Sequence, residues 1–477
     1  MRTAYSRLAI VALISLAPLT GCAEYFLLGG SGGTGGTGGS IIPGLGGTTG
    51  GGTTIANPGT TIPTTTQPAA VTPPTFLVTL LDPLLEQSAG AKVVVSGDID
   101  GDGLTDFASA STESQPIQIH LRNPANLEYT TYTIAGGGPI YKVVNMKIAD
   151  FDNDGRNDIA VVITDSGFVP VPGADLRGAV VLLFNPADST DTLSWTQVTI
   201  DATFVLPNDV LSQVDFDVAD FDGQSGPDIA FISNEIMNVS HIYLMPNPGN
   251  ANARVGANWS LVTLETDANP GKRLKAADVD GDGDLDLIAT FPNSKTFNCR
   301  WMVNPLVPGG AAAVTAGNWT RKFVGQQVNG GDAVATGDID GDGDVDVAIG
   351  SAGFMLVQWF ENPGAPNVAA QGYPWNVYNI VQLTGGVSIN QVQLVDLDQN
   401  GTLDCYVTAS GNMVAAARGT EVKNYWTPTT ILSTNPVAEI GLSAFADVNA
   451  DGRLDIIAPL DREGLTQDQL VVFTRQP

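Results

Sequence analysis

Seven stretches of the chain repeat one arrangement of side-chain oxygens, Asp-x-Asp-x-Asp-Gly-x-x-Asp followed by an apolar run. They begin at Asp98 (DIDGDGLTD), Asp150 (DFDNDGRND), Asp220 (DFDGQSGPD), Asp278 (DVDGDGDLD), Asp338 (DIDGDGDVD), Asp396 (DLDQNGTLD) and Asp447 (DVNADGRLD). Hard oxygens at alternating positions, with a glycine where the chain must turn sharply, are what a Ca²⁺ loop requires. Positions one, three, five and nine are expected to give side-chain oxygens and position seven a backbone carbonyl.

In the first loop these ligands are Asp98, Asp100, Asp102, the Leu104 carbonyl and Asp106, and in the second Asp150, Asp152, Asp154, the Arg156 carbonyl and Asp158. The fourth offers Asp278, Asp280, Asp282, Asp284 and Asp286, and the fifth Asp338, Asp340, Asp342, Asp344 and Asp346. One carboxylate gives way to an amide in the sixth (Asp396, Asp398, Asn400, Thr402, Asp404) and in the seventh (Asp447, Asn449, Asp451, Arg453, Asp455). The third keeps Asp220, Asp222 and Asp228 but has Gln224 and Ser225 where Asp and Gly belong, so it is expected to bind most weakly. An EF-hand begins alike but ends on a glutamate at position twelve, between helices. Position twelve here is Ser109, Val161, Phe231, Ala289, Ile349, Val407 or Ala458, and each loop runs into an apolar strand.

Surface acidity needs no fixed spacing, and three or four carboxylates in one turn repel strongly without a cation. Up to seven Ca²⁺ are therefore expected, their binding adding to fold stability. With 21 Lys and Arg against 50 Asp and Glu the formal charge is −29; seven Ca²⁺ would bring it to about −15. Such a chain is a poor partner for nucleic acid or an anionic lipid surface.

The loops recur at offsets of 52, 70, 58, 60, 58 and 51 residues, a period suited to four-stranded propeller blades. In the fifth period Ala333–Gly337 enters the loop, Val345–Gly350 leaves it, and Phe354–Phe360 and Trp375–Val381 complete the blade. Third strands are expected to end at Asn123-Pro124, Asn185-Pro186, Asn247-Pro248, Asn304-Pro305 and Asn362-Pro363. Fourth strands carry Trp195, Trp259, Trp319, Trp375 and Trp426, expected to pack between blades. One spare strand, Thr75–Leu81, precedes the first loop, and the last period stops after Leu470–Arg475, one strand short. Pairing these ends closes a ring without an open edge, so the expected fold is all-β: a seven-bladed propeller over 75–477 with the N-terminal strand completing the last blade.

Ahead of it, Met1, Arg2 and Arg7 precede an apolar run from Leu8 to Leu19 too short to span a bilayer, then Leu19-Thr20-Gly21-Cys22. This resembles the bacterial lipobox, which implies removal of 1–21 as a signal, lipidation of Cys22 and a place on a membrane outside the cytoplasm, with Ala23 matching lipoproteins sorted outward. Residues 29–75 are almost wholly Gly, Thr, Pro and Ser with a few aliphatics, so 22–74 is expected to be a flexible tether. Cys299 and Cys405 lie far apart on apolar stretches and read as small buried residues, not a disulfide framework.

The aspartate pattern, with Trp359-Phe360-Glu361-Asn362-Pro363-Gly364 downstream, resembles the FG-GAP/VCBS repeat family, whose propeller is similar to the head of integrin α-subunits. Gly364-Ala365-Pro366 occurs once and has no counterpart in other periods, which favours a bacterial calcium-loop branch over a close integrin relative. The resemblance implies a Ca²⁺-dependent propeller for adhesion or recognition of a protein or glycan, but such repeats also decorate enzymes.

The only histidines, His120 and His241, sit on third strands and read as packing or surface residues. No Gly-x-Ser-x-Gly, His-Glu-x-x-His, phosphate-binding loop or Cys-x-x-Cys is present. A propeller enzyme acting on polysaccharide through carboxylates and Ca²⁺ is the alternative, with a surface-assembly component as a third. Arg, Lys and Tyr in the central channel would favour the enzyme, and an apolar or aromatic rim would favour binding. Long connections at Asp165–Gly178 and Asp201–Leu211 carry Phe168 and Phe204, expected ligand contacts on the face opposite the calcium loops.

Overall fold

The computed structural model describes residues 75–476 except 81–90, 112–116, 136–142, 165–177, 201–214, 225, 235–238, 293, 295–297, 306–317, 325–329, 366–374, 385–387, 419–425, 434–438 and 462–468. Cys22, the tether, Phe168 and Phe204 lie outside the described residues. No helix among the described residues is long and apolar enough to cross a membrane.

The strand order follows the period read from the aspartate loops. A lone strand β1 (Phe76–Leu80) comes first, then blade 1 with β2 (Ala91–Gly97), β3 (Asp106–Ser111), β4 (Gln118–Arg122) and β5 (Tyr129–Thr133). Blade 2 is β6 (Val143–Ala149), β7 (Asp158–Thr164), β8 (Gly178–Phe184) and β9 (Thr196–Ile200), and blade 3 is β10 (Asp215–Ala219), β11 (Asp228–Asn234), β12 (Ser240–Met245) and β13 (Val262–Asp267). Blade 4 comprises β14 (Arg273–Ala277), β15 (Asp286–Thr290), β16 (Cys299–Val303) and β17 (Thr320–Phe323). Blade 5 has β18 (Ala333–Gly337), β19 (Asp346–Ser351), β20 (Leu356–Glu361) and β21 (Asn376–Gln382); blade 6 has β22 (Ile389–Val395), β23 (Asp404–Ala409), β24 (Asn412–Arg418) and β25 (Trp426–Ser433). The last blade opens on two short pieces, β26 (Glu439–Ile440) and β27 (Ala444–Ala446), and continues with β28 (Asp455–Asp461) and β29 (Gln469–Arg475).

Six blades are antiparallel four-stranded meanders, and the seventh is completed by β1 beside β29, with Phe76 opposite Arg475 and Leu80 opposite Val471. The spare strand at one end thus fills the missing place at the other. A second seam closes the ring at its inner edge. Between β26 and β27 the chain turns out of its own sheet, and Leu442 makes a parallel bridge to Val93 of blade 1 through Val94 N–H to Leu442 O (3.0 Å) and Leu442 N–H to Lys92 O (2.9 Å). Gly441 is needed there because a Cβ would lie 2.1 Å from the Lys92 carbonyl oxygen.

Apolar side chains on the two faces of each blade meet those of its neighbours, so the core is a ring of interblade clusters. Trp195, at the start of the outer strand of blade 2, is buried with Ile119 and Leu121 of blade 1. Trp259 packs edge-on to Phe151 of blade 2 at 6.4 Å, and Trp319 edge-on to Phe221 of blade 3 at 6.2 Å. Trp375 and Trp426 repeat the contact one and two blades on, as expected of one large aromatic per repeat. In blades 7 and 1, where the sequence has no tryptophan at this place, Phe76 and Tyr129 take the same positions. Cys299 and Cys405 are buried, unlinked thiols in different blades.

Candidate functional site

All seven aspartate loops lie between the first and second strands of a blade, apart from the irregular opening of blade 7 where β27 serves as the first. Two side chains act on the backbone in each loop that keeps Asp or Asn at position five. The first aspartate accepts N–H groups from within the turn: Asp98 takes Gly101 N–H (2.8 Å) and Gly103 N–H (3.0 Å), and Asp338 takes Gly341, Asp342 and Gly343. The fifth accepts from the seventh, as Asp102 does from Leu104 N–H at 2.8 Å.

The ninth aspartate has a structural duty that its spacing does not reveal. In every loop one of its oxygens accepts the N–H of position two, and the other accepts the N–H of a residue at the end of the third strand or within two residues after it. For Asp158 these donors are Phe151 (3.0 Å) and Asn185 (2.8 Å); for Asp346 they are Ile339 (2.9 Å) and Asn362 (2.8 Å). Burial raises these carboxyls to about 6 in Asp106 and about 7 in Asp158, Asp228, Asp286, Asp346 and Asp404, against the lowering effect of the N–H donors. Neighbouring aspartates push in the same direction, one or two of them acting on each buried group.

The asparagine of the Asn-Pro signal fills a slot between adjacent loops. Asn185 Nδ2 donates to the Ile99 carbonyl of the preceding blade (2.6 Å) and to its own blade's Asn157 carbonyl (3.0 Å). Asn247, Asn304 and Asn362 repeat the pair of bonds. Blade 1 departs from the sequence reading. Its strand ends at Arg122, and Arg122, not Asn123, donates its N–H to Asp106 (2.7 Å), while its Nη1 reaches the Asp447 carbonyl of blade 7 (2.8 Å). Arg418 and Arg475 hold the same slot in blades 6 and 7, with Arg475 Nη2 bound to the Asp398 carbonyl at 2.8 Å. At three junctions a guanidinium therefore lies beneath the preceding loop.

Carboxylate oxygens of positions one, three and nine converge within 4.8 Å in the loops beginning at Asp98, Asp150, Asp220 and Asp338; in the loop at Asp278 positions one, three and five do so. The third loop, expected to be weakest, brings Asp220, Asp222 and Asp228 together like the others, although its left-handed glycine, Gly226, falls one position late. Asp152 Oδ1 and Asp280 Oδ1 are buried carboxylate oxygens without a hydrogen-bond donor. Such oxygens fit a hard divalent cation, which needs several of them at once. Position four has left-handed backbone in all seven loops, at Gly101, Asn153, Gly223, Gly281, Gly341, Gln399 and Ala450, a strain borne by three non-glycine residues.

The second loop contains its own counter-charge. Arg254, on the connection before the outer strand of blade 3, pairs with Asp152 and, at 3.2 Å, with Asp154, and Arg156 also pairs with Asp154. A metal entering this loop must displace Arg254 from Asp152. Arg254→Ala is therefore expected to raise the Ca²⁺ affinity of this loop by roughly 3- to 10-fold, the scale of a partly exposed ion pair. Calcium titration of the two proteins measures this, and equal affinities would show that the arginine does not compete.

His120 and His241 both bond hydroxyls of their own blades. His120 is buried between Ser109 Oγ and Thr131 Oγ1, each 2.9 Å away, and His241 stacks on Tyr243 and bonds Thr266 Oγ1 at 2.9 Å. The innermost strands enclose a central cavity of about 110 Å³ whose lining includes Lys147, Arg273 and Lys275 but no tyrosine. Sequence reasoning had no means of placing these cations, which come from blades 2 and 4.

Residues 98–161 match the FG-GAP-like repeat and residues 330–375 match the FG-GAP repeat. With the seven four-stranded blades, these matches make the chain a seven-bladed β-propeller that carries FG-GAP repeats at 98–161 and 330–375. Solved structures that align with it include an Agrocybe aegerita lectin described as specifically recognising non-reducing terminal N-acetylglucosamine, at 16% identity and TM-score 0.46 over 72% of this chain and 81% of the lectin. The exotype rhamnogalacturonan lyase YesX aligns at 13% identity and TM-score 0.42, covering 81% of this chain and 74% of its own. A luciferin-regenerating enzyme does so at 9% and 0.39, over 84% and 95%. No curated protein sequence matches.

Proposed function

We propose that the protein is a Ca²⁺-binding propeller, held outside the cytoplasm by a lipid on Cys22, that serves adhesion or ligand recognition. The observation that carries this reading is the repeated convergence of carboxylates at positions one, three and nine, with buried oxygens that no protein donor satisfies. The ions set the loops, and through the ninth aspartate and the third-strand slot the loops set the distance between blades. A rigid ring of this kind presents the remaining connections as a recognition surface. A screen against glycans and cell-surface proteins, run with Ca²⁺ and with chelator, tests it: ligands are expected that bind only with Ca²⁺. Binding that is indifferent to chelation would separate recognition from the metal.

One observation favours a second reading, a propeller enzyme acting on polysaccharide. The central cavity is lined by lysines and an arginine, and an acidic polymer requires such groups. Product formation on the polysaccharides found in the same screen distinguishes an enzyme from a binder.

A further inference from the structure

The central cavity departs in charge from the rest of this acidic chain. Its lining draws on the innermost segment of all seven blades: Val94 and Val95, Asn145 to Lys147, Asp215, Arg273 and Lys275, Ala333 and Val334, Asn390 to Gln393, and Leu442 with Ser443. The charges are not spread around the ring. They sit on blades 2, 3 and 4, while blades 5, 6, 7 and 1 contribute apolar and uncharged polar groups.

Within the charged sector the carboxylates are already engaged. Asp217 pairs with Lys147 at 2.7 Å and accepts Ala276 N–H at 3.0 Å. Asp215 accepts Asn145 Nδ2 at 2.7 Å and Leu274 N–H at 3.0 Å. Arg273 spends Nε and Nη2 on the Asp332 and Asn390 carbonyls, each 2.9 Å away, so its charge meets no carboxylate through these bonds. Lys275 is the decisive group. The strongest influence on its ammonium is the neighbouring Lys147, which lowers its proton affinity more than Asp217 restores it. Asp217 and Asp215 act on both amines, but with Arg273 the cations of this sector outnumber the two carboxylates by one, and an added anion would balance them. At about 110 Å³ the cavity exceeds the roughly 10–15 Å³ that one water needs several times over, which admits a small ion.

We propose that the channel binds a small oxyanion, a carboxylate or a phosphate, between Lys147, Lys275 and Arg273. The uncharged wall opposite, with Asn390, Gln391 and Gln393, leaves room for a hydroxylated body such as that of a sugar acid. This site is separate from the aspartate loops and does not depend on Ca²⁺ being bound there.

Isothermal titration of the full chain with galacturonate, inorganic phosphate and neutral galactose tests the assignment. Galacturonate or phosphate is expected to bind and galactose not to; the better of the two anions distinguishes a sugar-acid carboxylate from a free oxyanion. Lys275→Gln is expected to weaken anion binding by about tenfold or more, and Lys275→Arg, which keeps the charge, to retain most of it. The wild-type affinity should also fall as NaCl rises. No binding of either anion at about 10 mM, a Kd barely weaker than the ordinary range of small-ligand contacts, would overturn the proposal. So would equal affinity in Lys275→Gln, equal binding of galactose, or a wild-type affinity independent of salt.

Discussion

Withdrawal of Ca²⁺ is expected to lower the thermal midpoint of the propeller by roughly 10–20 °C. If about six loops each bind with a Kd near 10 μM, 1 mM Ca²⁺ stabilises the fold by about 2.7 kcal/mol per loop, set against an unfolding entropy of about 0.8 kcal/mol/K for a domain of roughly 400 residues. The effect should depend on pH in a definite sense. In the metal-free protein burial holds six of the seven ninth aspartates at about 6 to 7, above the 3.8 of an exposed carboxyl. The folded state then carries more protons than the unfolded one between about pH 4 and 7, so chelated protein loses stability as pH rises through that window. Bound Ca²⁺ favours the ionised form and competes with protons, so its contribution grows over the same range. Melting curves at pH 5 and pH 7.5, each with Ca²⁺ and with chelator, should show a larger gap at the higher pH. Identical midpoints with and without the ion would mean that the loops are held by their backbone hydrogen bonds alone.

The parts of this molecule that were legible in its sequence are those tied to a fixed spacing. The ligand positions lie within nine consecutive residues, and a turn that short leaves little freedom, so Asp98 to Asp106 predict their own geometry. The blade period, the packing tryptophans and the closing strand follow from repetition in phase with those loops. Strand ends move by one or two residues, as at Leu356 in place of Phe354, because hydrogen bonding and not hydropathy decides where a ladder stops.

What sequence could not supply are contacts made across variable connections. The third-strand slot lies 16 residues after Asp106 but 27 after Asp158 and 14 after Asp404, so no offset marks it. The exchange of asparagine for Arg122, Arg418 and Arg475 was therefore hidden, and Asn123-Pro124 offered a false match one residue late. Arg254 meets Asp154 across 100 residues, and Lys147 meets Lys275 across two blades. Arg254 gives the second loop a counter-charge that the spacing of the aspartates could not reveal.

Removing residues 75–81 is expected to have the second largest effect, because β1 alone closes the outer edge of the last blade. Its five residues pair with β29, and Phe76 and Val78 pack against the cluster that joins blades 6 and 7, Phe76 at the position held by tryptophan in five other blades. Loss of two apolar contacts and the strand's hydrogen bonds is expected to cost roughly 3–6 kcal/mol. The seam at Leu442 and Val93 would keep the inner edge joined, so the ring is expected to remain folded with β29 exposed. An unpaired edge of that kind recruits other strands, and the truncated protein should therefore associate at concentrations where the parent is monomeric. Phe76→Ala separates the two effects: it removes the aromatic contact while leaving the backbone ladder, and should lower the midpoint without promoting association. Melting curves and sedimentation of the three proteins measure both. A truncated chain that melts with the parent and stays monomeric would show that the inner seam alone closes the ring.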